Sequence, residues 1–225
     1  MKKPVVDYRQ FRLRKLNDPE FSHLKLLGGW IVYFILYFLT ENLIPAERCT
    51  SVHIWLDDVI PFCEWFLLPY VSWYLLIVFS LVYFGLYNIQ SFRDLSKYII
   101  ITQLVAMAIY ILFPSRQDLR PEVFPRDNFL TRCIGLLYSF DTNTGVCPSL
   151  HVAYSMGIAS VWLKQKDVRA VWKVLLVILV ALICLATMFI KQHSAMDFFA
   201  ALPVCALAEG IVFWWPKRRK KERNQ

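Results

Sequence analysis

Six long apolar runs, each bounded by polar or charged residues, dominate the chain: residues 26–43, 65–87, 97–113, 149–163, 170–190 and 194–215. A helix of about 20 apolar residues crosses a hydrocarbon core of roughly 30 Å. The runs are continuous in Leu, Ile, Val, Phe and Trp and lack the alternation of apolar and polar positions that barrel strands show. The pattern therefore predicts an all-α polytopic membrane protein with about six spans, of which the fourth is short and moderately polar. Ahead of the first run, residues 8–25 mix Arg, Lys, Phe and Leu. They read either as a segment lying along the membrane surface or as a solvated basic tail.

Composition agrees with the pattern: 57% of residues are hydrophobic and 19% charged, against roughly 25% charged in soluble domains. One membrane domain, residues 26–215, is expected between a basic N-terminal segment, 1–25, and a basic tail, 216–225. There is no internal repeat and no low-complexity tract, and the first span is too long for the apolar part of a cleavable signal.

The formal charge of +8 could point to nucleic acid, but the basic residues flank the apolar runs, which is how topology is written. With the N-terminus in the cytoplasm, 19 of the 25 Lys and Arg residues fall on inside segments, as the positive-inside rule requires. Both termini are then cytoplasmic, a plasma-membrane location is expected, and no nucleic-acid partner is. Arg48, Arg116, Arg120, Arg126, Arg132 and Lys191 are left outside. Four of these arginines crowd into residues 114–147, where topology does not call for them. An anion would explain them, and so would contact with anionic headgroups or pairing with Asp118, Glu122, Asp127 and Asp141.

The cysteines follow the same division. Cys49 and Cys63 share the first outer loop and Cys133 and Cys147 the second, while Cys184 and Cys205 lie within spans. One disulfide per outer loop is possible on an oxidising side, and four free thiols are equally compatible with the sequence.

Two strings at span ends carry the chemistry: CPSLH, from Cys147 to His151, and KQHSAMD, from Lys191 to Asp197. Of four histidines, His23 and His53 lie in polar segments, whereas His151 and His193 each stand at the start of a span. There an ionisable group is costly without a partner or a task. His193 and Asp197, four residues apart, share a helix face, so the carboxylate can take a hydrogen bond from one imidazole nitrogen and leave the other as a nucleophile. Ser149 stands where a helix cap and its outward-facing amides could hold an anion, and His151 is placed to act as a general acid. Arg120, Arg116 and Lys191 are candidate cations for phosphoryl oxygens.

In order and spacing, these strings resemble the type 2 phosphatidic acid phosphatase superfamily of membrane lipid phosphatases. Its motifs are KxxxxxxRP, PSGH and SRxxxxxHxxxD. The counterparts here are DLRPE around Arg120 and Pro121, CPSLH around Ser149 and His151, and TMFIKQHSAMD around His193 and Asp197, covering about half the chain. The resemblance implies a six-helix transmembrane bundle with its site near the outer membrane surface. It also implies a metal-free and cofactor-free phosphohistidine mechanism, in which His193 attacks, Asp197 orients it and His151 protonates the leaving group. Arg120 and Ser149 would hold the phosphate of a membrane lipid substrate.

Three positions depart from the family pattern: Phe113 stands where the first motif has Lys, Thr187 where the third has Arg, and Leu150 where PSGH has Gly. Arg116 and Lys191 are the candidates to replace the missing cations. The string PSLH, with Thr in the third motif, is closer to the branch containing inositol phosphorylceramide synthase, which passes a phosphorylated headgroup to a lipid alcohol. A lipid phosphatase is the first expectation and a phosphotransferase of that branch, or of the sphingomyelin synthase kind, the alternative. A zinc site built from Cys147, His151, His193 and Asp197 is a further enzyme reading. A transporter or non-catalytic scaffold is the other class, although a transporter would carry its ionisable groups near the bilayer midplane. The oligomeric state is not encoded legibly.

Overall fold

A computed structural model describes residues 3–215; the expected basic tail, 216–225, lies outside the described residues. The chain is mostly helical. Its helices are α1 (Gly28–Leu43), α2 (Trp55–Val59), α3 (Leu67–Tyr87), α4 (Ile89–Leu112), α5 (Phe129–Phe140), α6 (Leu150–Leu163), α7 (Ala170–Phe189) and α8 (Ala195–Glu209), the last continued by a π-helical turn, Gly210–Trp214. Two two-residue strands, β1 (Thr50–Ser51) and β2 (Ser115–Arg116), pair in parallel between the loops that follow α1 and α4.

Five helices are long and apolar enough to cross a membrane: Ser22–Leu43, Glu64–Tyr87, Ile89–Leu112, Ala170–Phe189 and Ala195–Trp214. The expected fourth run forms α6, but at 14 residues it falls short of that length. Its burial explains its composition. It is the central helix, packed on α3, α4, α7 and α8, and most of its side chains touch protein on every face. Its approach to α4 depends on a missing side chain: a Cβ on Gly157 would come within 2.4 Å of the Tyr98 ring. Small residues at such crossings let helix backbones close up where the apolar surroundings give no drive to associate.

The third run begins earlier than its hydropathy suggests. Residues 88–96, which lie between the second and third apolar runs and include Arg93, belong almost entirely to the first turns of α4, and only Asn88 separates α3 from α4. Asn88 caps α4 by accepting the Ser91 amide at 3.1 Å and donates to Gln165 Oε1 at 3.0 Å. A hydropathy boundary marks where side chains become polar; the helix itself continues until a cap stops it.

The N-terminal segment is partly folded onto the bundle. It winds in short 3-10 turns against the ends of α3 and α4. Phe21 and His23 are buried, and the Tyr8 hydroxyl donates to Gly85 O at 2.6 Å and lies 2.7 Å from His23 Nε2.

All six cysteines are free thiols, so neither possible disulfide is formed. Cys49 Sγ donates to Pro45 O within its own turn, and Cys63 is tied by its amide to Phe189 O at the end of α7. Cys133 packs with Ile134 and Ile190. Cys147 instead lies beside the Asp197 carboxylate, and burial together with that negative neighbour pushes its thiol up to about 12.

Candidate functional site

One end of the bundle is built from the starts of α3, α6 and α8, the ends of α4 and α7, and the loops joining them. The α7–α8 junction makes the sharpest turn. Lys191 takes a left-handed backbone, φ 55°, a conformation costly for a residue with a Cβ. The turn is closed because the Gln192 and His193 amides both return to Thr187 O, at 2.9 and 3.0 Å. The Lys191 ammonium donates to Asp57 O at 3.0 Å and Ile60 O at 2.6 Å. It is therefore engaged by the segment between α1 and α3, where burial pulls its pKa down against the pull of Asp57 and Asp58.

Asp57 completes this brace. Buried in α2, it accepts from Ser194 Oγ at 2.6 Å and from the Ala195 amide at 2.7 Å, so a carboxylate distant in sequence occupies the N-terminus of α8. Ser194 and Asp197 form a capping box at the same place. As a result, Asp197 Oδ2 is 3.0 Å from His193 Nδ1 and 3.1 Å from the Ser194 amide. With Nδ1 donating to Asp197, Nε2 keeps its lone pair.

His151 enters from the first turn of α6. Ser149 caps that helix by accepting the Val152 amide, and its own amide donates to Asp197 O at 3.1 Å, which ties the α6 and α8 starts together. Tyr110 OH donates to Pro148 O at 2.6 Å and fixes the same turn to α4. The His151 ring is stacked on Tyr70, 4.6 Å between centroids, and lies 4.1 Å from Trp73. Its centroid is 5.5 Å from that of His193, and its Nε2 has no hydrogen-bond partner among the described residues. Two imidazoles, one from the first turn of α6 and one from the α7–α8 junction, thus converge, one backed by a carboxylate and the other by aromatic rings.

Both rings line a cavity of about 590 Å³ between α1 and α3. The cavity has the size and mostly apolar lining usual for small-molecule sites, roughly 300–1,000 Å³. Trp30, Tyr33 and Tyr37 of α1 form one wall and Trp73, Tyr74 and Ile77 of α3 the other, with Asp141, Gln192 and the two histidines closing one end. Helix α1 packs on α4 rather than on α3, which leaves the space between α1 and α3.

The candidate cations are placed differently from the histidines. Arg120 Nη2 donates to Asp141 O at 2.8 Å, Thr142 O at 2.9 Å and Gln192 Oε1 at 2.7 Å, and Nη1 donates to Tyr138 O at 3.1 Å. It stands behind the wall that Asp141, Thr142 and Gln192 present to the cavity, over the Tyr138 ring. Arg116 pairs with Asp118 at 3.3 Å and donates to Ala46 O. Of Arg120, Arg116, Lys191 and Ser149, none lines the cavity.

Asp141, Gln192 and Asp57, none of them a site residue by sequence, also shape this end of the bundle. Asp141 Oδ2 accepts from Gln192 Nε2 at 2.8 Å and from Tyr70 OH at 3.3 Å. Burial raises its carboxyl above the usual carboxylate range, with His193 and Arg120 pulling back. Gln192 could have been suspected from its place beside His193. Nothing local marks Asp57 or Asp141. Among the described residues no three His, Cys, Asp or Glu side chains converge to hold a metal.

No family model, no curated protein and no solved structure matches the chain.

Proposed function

We propose that this chain is a membrane lipid phosphatase that cleaves a lipid phosphate or diphosphate through a phosphohistidine. The observation that carries the reading is the meeting of His193, held by Asp197 at 3.0 Å, with His151, 5.5 Å away between centroids, at one end of a mostly apolar cavity. In the first half-reaction His193 Nε2 forms a bond to phosphorus while the ester P–O bond breaks, and His151 gives its proton to the departing oxygen. Asp197 supports the positive charge that grows on His193. In the second half, water attacks phosphorus, His151 takes the water proton, the P–N bond breaks and free imidazole returns.

The lipid would enter sideways between α1 and α3, with its chains still in the bilayer. Six spans, with α6 added as the fourth to the five long helices, would place both termini in the cytoplasm and this end of the bundle on the outer side. A second reading is a phosphotransferase, in which a lipid hydroxyl replaces water. It is favoured by the mostly apolar walls around the histidines, which would limit the access of water to the intermediate.

Purified full-length protein, incubated with a labelled panel of lipid phosphates with and without alcohol acceptors, tests both readings. Free phosphate marks the hydrolase and a new lipid the transferase. His151→Ala should reduce turnover by about a hundredfold to ten-thousandfold, and His193→Ala should abolish both turnover and acid-labile labelling of the protein. Normal turnover in either variant rejects the assignment.

A further inference from the structure

The N-terminal loop takes no part in the chemistry at the two histidines, yet it is firmly fastened at its base. The Val5 amide donates to Leu86 O at 2.7 Å and the Tyr8 hydroxyl to Gly85 O at 2.6 Å. Phe11 packs edge-on against the buried Phe21 ring, 5.3 Å between centroids, and His23 packs on Phe92 of α4. Residues 12–17 therefore form the tip of a loop whose stems are held against the end of α3 and the start of α4.

That base sets the height of the tip. Helix α3 is long and apolar enough to cross a membrane, so its last turn, to which Val5 and Tyr8 are tied, marks where the chain leaves the hydrocarbon layer. The same end of the bundle carries exposed tryptophans, Trp172 at the start of α7 and Trp214 and Trp215 beyond α8. Tryptophan collects at the boundary between membrane and water.

The tip has the chemistry of that boundary. Leu13 is 82% exposed and stands between Arg12 and Arg14, with Lys15 next. Arg9, Arg12, Arg14 and Lys15 follow one another with no acid between Tyr8 and Asn17. Among the described residues none of the four forms an ion pair; Arg12 donates to the Arg9 and Phe11 carbonyls of its own turn. Asp7 accepts the Arg9 amide at 3.1 Å, and Asp18 and Glu20 lie past the tip. An apolar side chain flanked by cations is the pattern of an interfacial anchor, and the cations gain most where the headgroups are anionic.

We propose that this loop is a docking site for anionic lipid headgroups of the bilayer in which the protein sits. Leu13 enters the headgroup layer, and Arg9, Arg12, Arg14 and Lys15 lie against the negative groups of lipids such as phosphatidylserine. The site is at the opposite end of the bundle from the two histidines and does not depend on the reaction proposed for them.

The test follows amide hydrogen exchange of residues 9–16 in the full chain, held in nanodiscs of phosphatidylcholine alone or of phosphatidylcholine with phosphatidylserine. Phosphatidylserine should slow exchange at least about tenfold. Salt at about 1 M, which screens charges beyond roughly 3 Å, should remove most of the slowing. Arg12→Gln, Arg14→Gln and Lys15→Gln combined should exchange at one rate in both discs. Leu13→Ser, which keeps every charge, should lose part of the slowing and serves as the second variant if the triple one does not fold. Equal exchange of the wild type in both discs overturns the proposal, as does full slowing that persists in the variants. Slowing by soluble polyglutamate in phosphatidylcholine discs, with none by phosphatidylserine, gives the surface to an acidic protein and overturns it as well.

Discussion

The two ends of the helix bundle are closed by different means. At the end away from the cavity the polar groups pair across elements: Asn88 with Gln165, Gln165 with Ser91, and Lys164 with Glu209 and Ser160, while the N-terminal turns bury Phe21 and His23 against α3 and α4. At the cavity end the chain leaves space, two imidazoles facing each other across 5.5 Å, and a non-glycine residue in a left-handed turn. Polar groups at the first end serve cohesion. At the second, His151, His193, Asp141 and Gln192 line an open cavity of about 590 Å³ instead of packing against protein on every side.

The largest effect separating the two ends should come from His193→Ala. Turnover should vanish while the bundle keeps its thermal midpoint, since the ring's recorded side-chain hydrogen bond is to Asp197. A matching truncation at the opposite end, Gln165→Ala, should do the reverse by removing three hydrogen bonds with Asn88, Ser91 and Val161. If both variants lost activity in parallel with stability, the distinction between the ends would fail.

Asp57→Ala sharpens the comparison because it attacks the brace rather than the histidines. It strands the Ser194 hydroxyl and the Ala195 amide, groups whose loss of a buried partner costs about 1–3 kcal/mol. If that cost falls on the start of α8, His193 and Asp197 shift and turnover should drop by roughly tenfold to a hundredfold. The drop should lie in kcat more than KM, with Asp57→Asn recovering part of it. A loss confined to KM would show that Asp57 acts on substrate instead.

What could be read from the sequence follows from the same difference. His193 and Asp197 were legible because their contact is local, four residues apart across the Ser194 cap of α8, and cap chemistry likewise marked Ser149 at the start of α6. The five long spans were legible because each is continuous in apolar residues. The destinations of Arg116, Arg120 and Lys191 were not. Each long cation had several carbonyls and carboxylates within reach, and the choice among them depends on how loops distant in sequence pack: Lys191 meets residues 57 and 60, and Arg120 meets residues 138–142 and 192. The same holds for Asp57, a loop acid by sequence that becomes a cap for a helix more than a hundred residues later. The start of α4 was hidden for another reason, since charged residues on the turn after Asn88 lower hydropathy without ending a helix.

Gly157→Ala tests the middle of the bundle, between the two ends. The added methyl meets the Tyr98 ring at 2.4 Å, and overpacking of this kind costs about 1–3 kcal/mol. The thermal midpoint should fall. Activity measured well below that midpoint should fall less than in Asp57→Ala, because Tyr98 is bonded to Cys205 O within the bundle and does not itself line the cavity. A combined Gly157→Ala, Tyr98→Leu protein should recover stability if the ring is the obstacle.

The smallest effect should come from Glu209→Gln at the closed end. Glu209 accepts from Lys164 Nζ at 2.7 Å and from Ser160 Oγ at 2.6 Å, but the two charged side chains are 38% and 25% exposed. An ion pair so open contributes about 0–1 kcal/mol, and the amide that replaces the carboxylate keeps an acceptor for Ser160. Chemical denaturation should therefore show little or no change, with turnover at the wild-type level. A loss of several kcal/mol would mean that the closed end, too, depends on a buried charge, and cohesion and chemistry would no longer divide cleanly between the two ends of the molecule.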